Sequence, residues 1–204
     1  MCNKYKKDTV MEIVLASHNK KKISELESFL SDMLGGEKIL TAGDVGVPDI
    51  EENGETFEEN ALIKARAVWK NGRIAIADDS GLCVNALDGR PGVYSARYAG
   101  EPCDNDKNNE KLLSELEDKS DRTAFFICTI ACKLPSGEEF TVSGVANGVI
   151  LKEKTGNGGF GYDPLFYFPP LKKTFAELTP DEKHAVSHRG NALRLLKERL
   201  KEVL

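Results

Sequence analysis

No apolar run in the chain approaches the ~20 residues that a membrane-crossing helix requires. No signal-type apolar core follows the basic stretch at residues 1–8. Positive charge is not in excess either. Twenty-eight Lys and Arg against 33 Asp and Glu leave a net charge of -5. That balance argues against a sequence-independent grip on duplex nucleic acid, which needs a basic face. It leaves room for one polyanionic small molecule in a locally basic pocket. There is no CxxC and no histidine at zinc-ligand spacing, and the five cysteines (Cys2, Cys83, Cys103, Cys128, Cys132) are an odd number. Cys128 and Cys132 fall in an apolar strand pattern, where thiols act as small hydrophobes. A reducing, cytoplasmic compartment is expected, with no catalytic cysteine. Internal repeats and low-complexity tracts are absent too.

What is present is organised around Ile74-Ala75-Ile76-Ala77-Asp78-Asp79-Ser80-Gly81. The Ile/Ala run predicts a strand buried on both faces, as in the middle of an α/β sheet. It is expected to end where the two carboxylates begin. Ligands of such sheets sit beyond strand ends. Adjacent acids there are costly unless a cation or a proton-transfer task uses them. A turn capped by Asp79 or Ser80 is the plainer alternative.

The 204 residues fit one domain or two small lobes sharing a sheet. Residues 1–10 are expected to be a flexible lead-in, with Met11 an equally plausible start, and residues 11–204 a single two-lobed domain with a central cleft. A strand at residues 12–16 runs into Ser17-His18-Asn19-Lys20-Lys21-Lys22 and a helix striped by Ile23, Leu26, Phe29, Leu30 and Met33, stopped by Gly35-Gly36. A βα turn of this kind suits an anion at the helix start, although the glycines of a Walker loop are missing. Taken alone, the lysines are more simply explained as solvated helix surface.

Residues 38–41 read as a strand. Glu51 and Glu52 lie in an acidic loop whose oxygens suit a hard cation, or simply solvent. Thr56-Phe57-Glu58-Glu59 is a capping box opening a helix through Ala61, Ala65 and Val68. Another helix is expected from about Asp104. Residues 123–134 and 139–151 read as two long strands joined by hairpin chemistry at Pro135-Ser136-Gly137, able to form a dimer surface. The glycine-dense stretch from Thr155 to Pro164 lets backbone approach a ligand, with Phe160 and Tyr162 offering flat faces. Thr179-Pro180-Asp181-Glu182 is a capped turn. Ser187-His188-Arg189-Gly190 stands at the start of a last helix striped by Leu193, Leu196, Leu200 and Val203. Cations there oppose the helix dipole unless an acceptor lies nearby.

These stretches together resemble the Ham1/RdgB-type inosine triphosphate pyrophosphatase family, also called dITP/XTP pyrophosphatases. The carriers are Ala16-Ser17-His18-Asn19 with Lys22, Gly54-Glu55-Thr56-Phe57-Glu58-Glu59-Asn60-Ala61, and Ala77-Asp78-Asp79-Ser80-Gly81-Leu82. Pro91-Gly92-Val93-Tyr94-Ser95-Ala96-Arg97, Gly158-Gly159-Phe160-Gly161-Tyr162-Asp163-Pro164 and Ser187-His188-Arg189-Gly190 complete them. One departure is His18, where the family usually has Gly. The resemblance implies an α/β fold with a long curved mixed sheet flanked by helices, two lobes and a central substrate cleft, usually a homodimer. It implies Mg²⁺-dependent hydrolysis of ITP, dITP and XTP to monophosphate and pyrophosphate, with no nucleic-acid or membrane partner.

Position by position, the resemblance makes Asp79 the general base and a metal ligand, with Glu51 the loop acid at the metal. Ser17, Asn19 and Lys22 match a phosphate loop, and Phe160, Gly161, Tyr162 and Asp163 a base-side loop. Ser80, next to the acids, is expected to bind substrate, while Lys183, Ser187, His188 and Arg189 match base and phosphate contacts. The sequence leaves open whether Asp78 or Asp79 is the base. A pyrophosphatase for another nucleotide set, or a nucleotide sensor, would be the alternatives.

Overall fold

The computed structural model describes residues 12–34, 38–70 and 72–203, apart from the side chains of residues 20, 21 and 31–34. The expectations for residues 1–10, for Met11 as a start and for a Gly35-Gly36 helix stop lie outside the described residues, as does Cys2.

Strand β1 (Glu12–Leu15) pairs in parallel with β2 (Lys38–Thr41) on one side and β3 (Arg73–Val84) on the other, with Ile13 opposite both Ile39 and Ile74. Among the described residues the sheet has seven strands in the order β2-β1-β3-β4-β5-β6-β7, with β4 Thr123–Lys133, β5 Glu139–Ile150, β6 Phe166–Phe168 and β7 Lys173–Thr174. The β5–β6 and β6–β7 pairs are antiparallel, so the sheet is mixed and the fold α/β. The helices are α1 (Lys20–Leu34), α2 (Phe57–Val68), α3 (Asn105–Glu115), α4 (Pro180–Val186) and α5 (His188–Val203). No helix among the described residues is long and apolar enough to cross a membrane.

The chain forms two compact units. The first holds the described residues up to Asn53 together with Ala61–Asp78 and Ala131–Thr141. One of its packed clusters is built from small residues, Val14, Ala16, Ala61, Ala65, Val68, Ala75, Ala77 and Ala131, which lets helix and strand backbones approach closely, while Ile13, Leu15, Leu26, Leu30, Ile74 and Ile76 are buried in the same unit. The second holds Gly54–Asn60, Asp79–Ile130 and the described residues from Val142 onward. Large side chains fill it: Phe126, Phe166 and Phe175 meet ring to ring at 4.6 to 5.9 Å, beside Leu82, Leu112, Leu116 and Ile150.

Local signals explain where several helices start. The Thr56 hydroxyl accepts the Glu59 N–H at 3.1 Å while the Glu59 carboxylate accepts the Thr56 N–H at 3.2 Å, so the expected capping box opens α2. Asp104 caps α3 by accepting from the N–H groups of Asp106 and Lys107. Thr179 and Glu182 form a second reciprocal box, with Pro180 as the first residue of α4.

One expectation is corrected. The central strand does not end at the acids. Strand β3 runs unbroken through Asp78, Asp79, Ser80 and Gly81 to Val84. The strand survives because each carboxylate meets donors, and because the Ser95 hydroxyl receives the Leu82 N–H at 2.8 Å where apolar burial resumes.

Candidate active site

Successive residues of a strand face opposite ways, so Asp78 and Asp79 are neighbours in sequence with separate surroundings. Both are buried, at 2% and 5% exposure. The division between the two units falls between them in the chain.

In the first unit the Asp78 carboxylate pairs with Lys22 Nζ at 3.1 Å. The Asp78 main-chain carbonyl accepts from Lys64 Nζ at 2.7 Å, and the same ammonium reaches Glu52 at 2.8 Å. Lys22 is carried by the first turn of α1. The turn before the helix is shaped by its own side chains: Ser17 Oγ accepts the Asn19 N–H at 3.2 Å, and Asn19 Oδ1 accepts the Lys22 N–H at 3.3 Å. His18 makes no demand for glycine there, since Asp88 and Lys172 are the described non-glycine residues with positive φ. Its imidazole lies 3.6 Å from the Asp49 carboxylate. Glu51 is exposed.

In the second unit Asp79 Oδ2 accepts from the Asn60 amide at 3.2 Å, and its Oδ1 from the Ser80 N–H at 2.9 Å. Asn60 is itself fully buried and fixed, because its Oδ1 receives the Gly54 N–H at 2.8 Å. Ser80 Oγ accepts from Arg189 Nη2 at 3.5 Å. A Cβ on Gly81 would lie 2.4 Å from the Gly92 carbonyl oxygen and 2.6 Å from Ser95 Oγ, so close approach of backbone demands glycine at that point.

The glycine-dense loop is braced by Asp163, whose carboxylate accepts the Phe160 N–H at 2.7 Å and pairs with Lys183 Nζ at 2.5 Å. Lys183 Nζ also stands 4.8 Å from the centre of the Phe160 ring, a cation–π distance. Tyr162 differs from expectation. Its ring does not offer a flat face; it is buried in the aromatic core, with its hydroxyl donating to the Ser95 carbonyl at 2.8 Å. Burial pushes its phenol far above the usual range. An aromatic body this large gains more from the core than from solvent, so what Tyr162 presents to the loop is backbone.

At the start of α5, Ser187 Oγ receives the Gly190 N–H at 3.1 Å and so caps the helix. The His188 ring stacks on Phe126 at 4.8 Å and 15°. His188 and Arg189 are both buried. Burial pushes the Cys83 thiol up to about 11 and the Cys132 thiol up to about 12, which makes these two poor nucleophiles.

The sequence-predicted residues thus fall into two groups. Ser17, Asn19, Lys22 and Glu51 belong to the first unit; Asp79, Ser80, Phe160, Gly161, Tyr162, Asp163, Lys183, Ser187, His188 and Arg189 belong to the second. Asn60 and Lys64 escaped sequence reasoning. Their signal was a polar amide and a charge set among Phe57, Ala61, Ala65 and Val68, on the apolar stripe of α2.

A model of the Ham1 family matches residues 13–199. The chain belongs to the Ham1 family. Among the curated Ham1-type relatives, the dITP/XTP pyrophosphatase of Clostridium perfringens is 48% identical over 95% of this chain and 98% of its own. That of Bacillus subtilis is 48% identical over 93% and 96%. Among solved structures, a HAM1 protein from Coxiella burnetii superposes with a TM-score of 0.87 at 47% identity, covering 94% of this chain and 99% of that one. The Staphylococcus aureus Ham1 protein gives 0.86 at 44%, covering 95% and 100%.

Proposed function

We propose that this Ham1-family protein hydrolyses non-standard purine nucleoside triphosphates, ITP, dITP and XTP, to the monophosphate and pyrophosphate. The observation that carries the reading is the Asp79 carboxylate. It is buried mid-strand and held by Asn60 and a backbone N–H, with Asp78 turned to Lys22 and so occupied otherwise. The names of the curated relatives support the substrate class.

Water attacks the α-phosphorus, the bond to the bridging oxygen breaks, and pyrophosphate leaves with that oxygen. Asp79 takes the proton of the attacking water. Lys22 and Lys183 hold the phosphate tail as point charges, while Ser17 and Asn19 shape the turn that receives it. Phosphoryl chemistry of this kind is mostly positioning and charge neutralisation. Phe160 supplies the stacking face for the base. Arg189, Ser187, His188 and the loop backbone from Gly161 to Asp163 surround it with donors suited to a 6-keto oxygen. Adenine, with an amino group there, would set donor against donor.

The carboxylates that the resemblance assigns to magnesium, Glu51 of the first unit and Asp79 of the second, are each of the donor type that a hard cation takes. No group of three or more acidic, histidine or cysteine side chains that could hold a metal ion is found among the described residues. Two carboxylates completed by water and substrate oxygens are the usual magnesium arrangement. When bound, Mg²⁺ supplies charge neutralisation at the phosphates and a more acidic water.

We further infer a homodimer in the cytoplasm acting on free nucleotides. The acidic balance and the absence of disulfides among the described cysteines support the last two points. Pyrophosphate release measured on ITP, XTP, GTP and ATP side by side, with and without Mg²⁺, is the test. Release from ITP and XTP with Mg²⁺, far above ATP, is expected. ITP left intact under every divalent ion tried would end the proposal.

A further inference from the structure

Asn109, on α3, is buried at 2% exposure, and its amide nitrogen donates twice. It reaches the Asn105 carbonyl at 2.8 Å and, far along the chain, the Gly161 carbonyl at 3.0 Å. Two carbonyl acceptors identify that end of the side chain as the NH₂. The amide oxygen is buried too and accepts from nothing among the described residues. A buried acceptor without a donor is a standing cost. An apolar side chain of similar shape would fill the space without it, so the residue is kept for what its donor does.

That donor acts on the glycine-aromatic loop. Gly161 has φ +61, a left-handed conformation that glycine adopts without strain. A trans peptide is planar, and its C=O and the next N–H point opposite ways. Holding the Gly161 carbonyl on α3 therefore turns the Tyr162 N–H away from that helix. Neither the Gly161 nor the Tyr162 N–H donates to another described residue. The loop is pinned elsewhere by the Tyr162 hydroxyl on the Ser95 carbonyl and by Asp163 on the Phe160 N–H. Those two contacts fix where the loop lies. Asn109 fixes how the Gly161–Tyr162 peptide is rotated.

We infer that Asn109 is a positioning residue that aims the backbone N–H of Tyr162 at an acceptor oxygen of the substrate base, an inference that rests on assigning this loop to the base. A purine keto oxygen can accept such bonds; an amino group at that place cannot. Asn109 therefore acts on base affinity and on keto-over-amino choice, not on bond breaking.

Two variants test it. Asn109→Asp keeps the shape but sets an oxygen against the Gly161 carbonyl, and Asn109→Leu removes both polar ends while keeping the volume. KM for ITP is expected to rise roughly tenfold, the scale of one lost neutral hydrogen bond, with kcat within about twofold. The preference for ITP over ATP should narrow, while binding of inorganic tripolyphosphate, which has no base, should hold. Without any nucleotide, amide exchange at Phe160 and Asp163 should quicken in both variants, with protection elsewhere retained. An active wild type beside variants with unchanged KM and unchanged exchange would overturn the role of Asn109. So would an equal loss of ITP and tripolyphosphate binding. A wild type inert toward ITP would instead overturn the assignment of function, and the exchange data would still report whether Asn109 sets the loop.

Discussion

At the scale of single residues, the pair Asp78-Asp79 shows how one step along a strand assigns different work to identical side chains. Asp78 faces two lysines, giving its carboxylate to Lys22 and its carbonyl to Lys64. Asp79 faces an amide and a backbone N–H. The sequence could not separate the two acids, because the alternation that separates them exists only once the strand is known to continue through both. Asp79→Asn should lower kcat for ITP by about 10³-fold or more, in the range of a lost general base, while leaving nucleotide affinity nearly intact. Asp78→Asn should act the other way, mainly raising KM, because Lys22 loses the partner that aims it. Steady-state pyrophosphate release on both variants checks this. Ordinary turnover by Asp79→Asn would move the base elsewhere.

At the scale of elements, the parts legible in the sequence were those written in local chemistry. The capping box at Thr56 and Glu59, the Asp104 cap and the Thr179–Glu182 box each satisfy helix-end N–H groups with neighbours three residues away. The unbroken course of β3 was not legible, because the donors that let two buried acids stay in a strand come from distant elements: Asn60 and Lys64 from α2, Lys22 from α1. The position of α5 was equally hidden. Gly144 on β5 marks it, since a Cβ there would lie 2.2 Å from the Ala192 nitrogen and 2.3 Å from the His188 carbonyl oxygen. Backbone atoms on both sides cannot yield as a flexible side chain can. Gly144→Ala should therefore destabilise the fold by roughly 1–3 kcal/mol, as overpacking does. It should also weaken ITP binding, because the helix start it displaces carries Ser187, His188 and Arg189. Denaturant midpoints and KM for ITP, measured on the same variant, read the two effects. A variant with wild-type values of both would show that α5 accommodates the methyl group.

At the scale of the whole molecule, a ligand that binds the folded chain and not the unfolded one must raise its stability. A non-hydrolysable ITP analogue with Mg²⁺, at a hundredfold excess over its dissociation constant, contributes about 2.7 kcal/mol. For a chain of 204 residues that corresponds to a rise in melting temperature of roughly 5–10 °C. Asp79→Asn should keep the part of that rise that does not depend on the metal, and chelation should remove the metal-dependent part in the wild type. The corresponding ATP analogue at equal concentration should give a clearly smaller shift, because its 6-amino group meets donors rather than acceptors. Differential scanning fluorimetry on both proteins, with and without chelator, separates these contributions in one set of melts. Equal shifts from the two analogues would refute base selection by keto recognition, and no shift from either would refute nucleotide binding altogether.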